Sequence, residues 1–136
     1  MAEVMRTTPS EPVTGKITDA EAAAMVRAVF NLFRFWGVND TQARVLLGHP
    51  SQSTYYRWKR GKIGAIPHDT VWRLGDLMGI HKALRYMFTE PARGYAWVSK
   101  PNTALGGRSA LDRMLGGAPS DISAVRAYLD AERGGW

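Results

Sequence analysis

Ser51-Gln52-Ser53-Thr54, followed by Arg57, Lys59, Arg60 and Lys62, is the stretch of this chain best equipped to engage another molecule. Small hydroxyl and amide side chains in succession bond phosphate oxygens or base edges, and glutamine can pair with adenine. The cations that follow form the densest basic cluster in the sequence. If the segment is a helix, its N-terminus also favours phosphate. Gln52, Ser53 and Arg57 then stand nearest the bases, while Lys59, Arg60 and Lys62 meet phosphate. Tyr55 and Trp58, three apart, pack inward and fix the helix. The competing reading is a solvated basic helix on an aromatic core, because basic clusters are common on surfaces.

No set of residues suits catalysis. His49, His68 and His81 are scattered, whereas a metal site needs three or four convergent ligands. No serine sits in a nucleophile elbow. Gly106-Gly107-Arg108-Ser109 lacks the preceding strand and the lysine of a phosphate-binding loop, although a weak anion site at the helix it opens is conceivable. The expectation is a protein that is not an enzyme and needs no cofactor or metal.

The bulk properties agree with a binding role. At 136 residues the chain can build one ordinary core, or two small subdomains sharing one. Its net charge of +6 favours a polyanionic partner. Cysteine is absent, so a reducing cytoplasm is the easiest home. No apolar run is long enough to span a membrane, and no secretory signal core is present.

Helical elements must position the polar stretch. Residues 1–16 hold prolines and small polar residues without apolar periodicity, and read as a disordered arm. Thr18-Asp-Ala-Glu21 is a capping box opening a helix that ends at Gly37. Its apolar stripe, Ala22 to Trp36, is wider than one face needs, which suggests burial on two sides, against its own core and against a second subunit. A second helix runs from Asp40 to Leu47, capped by Asn39 or Asp40. After Gly48-His49-Pro50, Ser51 caps a third helix ending at Gly61. Helix, short glycine turn, helix is the helix-turn-helix signature. The turn departs from the usual pattern: Arg44 stands where a small residue is common, and Pro50 lengthens the turn. That bears on whether DNA binding is retained.

Beyond Pro67, Val71, Trp72, Leu74, Leu77 and Met78 give a fourth helix its apolar side. Gly75 within it suggests close packing of another backbone. Gly79 breaks the pattern, and Ile80, Ala83, Leu84, Met87 and Phe88 continue as a fifth helix. Glu90-Pro91 punctuates again. No strand-type alternation appears. Pro101-Asn102 suits an Asx-turn. Ser109 caps a short helix carrying Leu111, Met114 and Leu115, stopped by Gly116-Gly117. A last helix starts at Ser120 or Asp121 and carries Ile122, Val125, Tyr128 and Leu129 on one face. Gly134-Gly135 ends it and leaves Trp136 on a flexible pivot. Two readings of Trp136 stay open: it folds back on its own helix, or it enters a partner's cleft.

These residues carry a family resemblance. Trp97-x-x-x-Pro101-Asn102-x-x-Leu105-x-Gly107-x-Ser109-x-Leu111, then Val125-x-x-Tyr128-Leu129 and a closing Gly-Gly-Trp, resembles the toxin-binding domain of the MbcA/ParS/Xre antitoxins. The resemblance covers about residues 75–136, and residues 37–62 more loosely resemble the same family's helix-turn-helix. It implies a type II antitoxin whose C-terminal end obstructs the active-site cleft of a RES-domain toxin, an enzyme that consumes NAD. It also implies binding to operator DNA for autoregulation, as a homodimer within a toxin–antitoxin hetero-oligomer. The residues expected at the toxin are Gly134, Gly135 and Trp136, supported by Arg126, Tyr128 and Arg133. Arg108 and Arg113 either contact the toxin or pair with Asp112 and Asp121. The expected architecture is all-α: an arm (1–16), a helix-turn-helix domain (17–66) and a helical toxin-binding domain (67–136). The alternative is a stand-alone helix-turn-helix regulator whose C-terminal half only dimerises.

Overall fold

Thr18 opens the first helix by a reciprocal cap in the computed structural model, which describes residues 17–134. The Glu21 amide donates to Thr18 Oγ1 at 3.0 Å, and Glu21 Oε1 accepts from the Thr18 amide at 2.9 Å. The expected arm (1–16), Gly135 and Trp136 lie outside the described residues. This helix, α1, is Asp19–Trp36, closed by Gly37 in the left-handed conformation. Asn39 caps α2 (Asp40–Leu46) with the same device, its Oδ1 accepting from the Gln42 amide at 2.8 Å. Ser51 caps α3 (Gln52–Lys59). The wide apolar stripe of α1 is used within the chain, because α1 packs against α3, against α4 (His68–Met87) and against α5 (Pro91–Trp97).

Two sequence expectations fail in α4. It is one continuous helix of 20 residues, so Gly79 does not break it. Its buried stripe runs Thr70, Arg73, Leu74, Leu77, Ile80, Ala83 and Leu84, while Trp72 is 71% exposed and Met78 37% exposed. The close approach is also at a different glycine from the one expected. Nothing lies within 4 Å of a side chain added at Gly75, whereas a Cβ at Gly79 would fall 2.5 Å from the guanidinium carbon of Arg126. Gly79 is the notch that admits that arginine.

Pro91 starts α5 rather than merely punctuating, consistent with proline's suitability for a first helical position. A two-stranded antiparallel pair follows, β1 (Pro101–Asn102) with β2 (Arg108–Ser109), another feature not expected. Between them is a single 3-10 turn, Thr103–Leu105, whose start is set by the Asn102 side chain accepting from the Ala104 amide at 2.8 Å. This is the expected Asx-turn. Ser109 caps α6 (Ala110–Met114), and α7 (Pro119–Glu132) lies along α4 in the most extensive helix contact of the fold. Ile122, Val125 and Leu129 of α7 join Leu74, Leu77, Ile80 and Leu84 of α4 in one core shared with α1 to α3. Among the described residues the regular structure is therefore helical apart from the small β pair. Among the described residues, no helix is long and apolar enough to cross a membrane.

The rings of Phe35, Tyr95 and His81 form a column linking α1, α5 and α4. Phe35 and Tyr95 are 4.7 Å apart with planes 9° from parallel, and Tyr95 and His81 are 6.0 Å apart at 3°. Burial, with the nearby Arg85 charge, holds the His81 pKa below its ordinary 6.5. A base depressed in the fold is bound by fewer protons there than in the unfolded chain. Its contribution is thus complete above 6.5 and is lost as pH falls through the lower folded value. Thermal unfolding followed by circular dichroism is expected to show the melting temperature dropping as pH is lowered from neutrality through this window. His81→Phe should flatten that drop; an unchanged profile would remove His81 as its cause.

Candidate nucleic-acid and partner interfaces

The α2–turn–α3 unit is held by side chains whose roles the sequence did not announce. The Arg44 guanidinium donates twice to the Pro50 carbonyl, from Nε at 3.1 Å and Nη2 at 3.0 Å. His49 takes φ 60° to complete the lengthened turn. The arginine in the place of a small residue therefore closes the turn instead of obstructing it. Asp40, first in α2, gathers α3 from the other side. Its carboxylate accepts from Tyr55 Oη at 2.6 Å and Lys59 Nζ at 2.7 Å, with Tyr56 Oη at 3.4 Å. The Lys59 and Tyr55 hydrogen bonds hold the Asp40 pKa below the usual carboxylate range. Burial, then the Asp40 hydrogen bond, pushes the Tyr55 phenol up.

This frame displays the polar stretch much as its spacing suggests. Tyr55 and Trp58 are 1% and 4% exposed and anchor α3. Gln52, Ser53 and Arg57 are exposed on the outer surface. Ser51 and Thr54 are partly committed to the helix start: Ser51 Oγ accepts from the Thr54 amide at 3.2 Å and donates to Thr54 Oγ1 at 3.0 Å. Arg57 Nη2 reaches Thr54 Oγ1 at 3.3 Å. Arg60 and Lys62 are exposed, and among the described residues neither meets a carboxylate. Lys59 is not free in the same sense, because Asp40 holds it.

The partner-binding candidates divide. Arg108 is exposed on β2. Arg126 lies across α4 at the Gly79 notch, half exposed, donating to the Gly75 carbonyl at 3.3 Å and to Asp76 Oδ1 at 3.1 Å, with Asp130 at 3.9 Å. Tyr128 stacks on Trp97 with centroids 6.4 Å apart and planes 8° from parallel. The Arg133 guanidinium lies 4.6 Å from the Tyr86 ring centroid, a distance suited to cation–π attraction. Gly134 follows with φ 87°, turning the chain off the α7 axis. Gly135 and Trp136 lie beyond the described residues. Arg113 takes the intramolecular option left open by the sequence, pairing with Asp121 at 3.3 Å. Among the described residues, no cluster of side chains could hold a metal ion.

Arg73 is a connection that the sequence reading missed. Its residue is 6% exposed, yet its side chain reaches three segments. Nε donates to Asp69 Oδ2 at 2.9 Å, Nη2 to the Gly117 carbonyl at 2.9 Å, and Nη1 lies a longer 3.5 Å from the Val45 carbonyl. One buried cation thus ties the end of α2, the start of α4 and the α6–α7 loop. No local pattern signals it; an arginine in a helix face is ordinarily read as solvated.

A helix-turn-helix whose second helix is exposed, polar and basic, joined to a second helical module, has the architecture of a DNA-binding protein class. The Antitoxin Xre-like helix-turn-helix domain model matches residues 16–81, and the Antitoxin Xre/MbcA/ParS C-terminal toxin-binding domain model matches residues 83–135. The chain is also 42% identical over 129 residues to "Uncharacterized protein y4oB" of Sinorhizobium fredii, across 93% of this chain and 99% of that protein. The chain belongs to the Xre/MbcA/ParS antitoxin family.

Proposed function

We propose that this antitoxin binds a RES-domain, NAD-consuming toxin and blocks its active-site cleft with the segment Gly134, Gly135 and Trp136. The observation that carries this reading is the end of α7. Gly134 takes the left-handed conformation there, within the span matched by the toxin-binding family model. Arg133, next to Gly134 in the chain, and the exposed Arg108 are the further contacts in this reading. Arg126 and Tyr128 act by support, since their side chains are engaged with α4 and Trp97. The same protein, as a homodimer within a toxin–antitoxin complex, binds its operator through α3 and represses its own expression. Residues 17–66 form the DNA-binding half and 67–136 the toxin-binding half. The extensive α4–α7 contact supports assigning α4 to the latter.

Removing Gly134, Gly135 and Trp136 tests the plug. A lost aromatic anchor in a cleft costs about 3 kcal/mol, or about 100-fold in affinity. NAD consumption by the genomically adjacent toxin, co-expressed with the truncated chain, is expected to reappear while operator affinity stays close to that of the full chain. Unchanged inhibition would reject the tail as the blocking element. Absence of an NAD-consuming neighbour that co-purifies would reject the RES assignment itself.

A further inference from the structure

Beside the C-terminal end of α3 lies a groove of about 360 Å³ whose other wall is α1. Arg27, Asn31 and Arg34 line it from α1, Lys59 and Arg60 from α3, over a floor of Phe30 and Trp58. On α1 these side chains follow the three- and four-residue spacing of one helix face. Arg27, Asn31, Arg34 and Arg60 are exposed. Among the described residues, no carboxylate pairs with Arg27, Arg34 or Arg60, and none lines the groove. Lys59 adds less field, because Asp40 sits 2.7 Å from its ammonium. Like charges gathered on two walls without an internal counter-ion repel one another, and an outside anion relieves that repulsion.

We propose that α1 is a second DNA-contacting element, with Arg27, Asn31 and Arg34 opposite Arg60 gripping a phosphodiester segment next to the major groove that α3 reads. The proposal rests on the reading of α3 as the operator-reading helix. The occupant is a nucleic-acid strand because the groove is continuous with the basic end of α3. Planar guanidinium groups on both walls fit phosphate oxygens two at a time. Such contacts set the register of the protein on the duplex and carry no sequence information.

The test uses the full chain carrying Arg27→Ala with Arg34→Ala, titrated against its own promoter duplex and a random duplex over a series of salt concentrations. Each lost phosphate contact should flatten the slope of log affinity against log salt by about 0.9, so the pair should flatten it by about 1.8. Affinity should fall by the same factor on both duplexes, leaving the preference between them intact. Arg27→Lys with Arg34→Lys should keep most of the slope, which a merely structural defect would not permit. An unchanged slope in the alanine variant would overturn the groove contact while leaving α3 as the reader. A change in toxin binding with unchanged DNA binding would overturn it in favour of a protein occupant. A wild-type chain that binds neither duplex would overturn both readings.

Discussion

Arg73→Ala is expected to lower the unfolding free energy by about 3 kcal/mol, with the melting temperature falling by about 10 °C. The contributions are unequal. The hydrogen bond to the Gly117 carbonyl, at 2.9 Å from a charged donor, is the largest, at about 2 kcal/mol. The buried aliphatic stem adds about 1 kcal/mol. The Asp69 ion pair adds less than about 1 kcal/mol, because that carboxylate is 53% exposed and screened by water. The 3.5 Å approach to Val45 is too long to count for much. Asp69→Asn should therefore cost far less than Arg73→Ala. Arg73→Lys should fall between them, since an ammonium keeps the charge but not the fork that serves three directions. Denaturant unfolding of the three variants decides the matter. Equal losses for Asp69→Asn and Arg73→Ala would mean that the ion pair, and not the Gly117 carbonyl, is what the arginine supplies.

Gln52→Ala combined with Arg57→Ala is expected to erase most discrimination between operator and random DNA. Each well-formed base contact distinguishes right from wrong sequence by about 1–3 kcal/mol. Losing two removes at least about 2 kcal/mol, a factor of about 30 or more in the specificity ratio. Salt dependence should change little, because the phosphate contacts proposed for Arg60, Lys62 and α1 remain. Competitive titration of the two duplexes reads the ratio directly. A ratio that survives the double substitution would place recognition outside α3. The stability cost should be small: both side chains are exposed, and among the described residues the bond made by either is Arg57 to Thr54.

The contrast between these arginines shows what was legible in the chain. Signals confined to a few residues read correctly. Thr18 with Glu21, the Ser51 cap, the Asn102 turn and the Ser109 cap all depend on partners three residues away or nearer. The inward turn of Tyr55 and Trp58 followed from helical spacing. Errors arose where the partner is distant. The buried stripe of α4 includes Thr70 and Arg73, so apolar periodicity points to a face containing Trp72, which is largely exposed. Gly79 looked like a helix stop because nothing near it in the chain reveals that Arg126 occupies its missing side chain's place. Helix α5 was missed partly because its one buried residue is Gly94, which packs against α4 backbone and has no side chain to show a pattern. The α1 wall of the groove is hidden in the sequence for a similar reason: Arg27 and Arg34 are dispersed through a helix dominated by its apolar residues.

The unbroken course of α4 makes it an axle. At 1.5 Å per residue its 20 residues span about 30 Å without a joint, and both α1 and α7 pack against it. The helices at the two ends of the chain are thereby held at one bearing to each other by a single rod. One residue inserted near Gly79 would rotate the following half of α4 by about 100° about the helix axis, carrying Ile80, Ala83 and Leu84 out of the core that they share with α7.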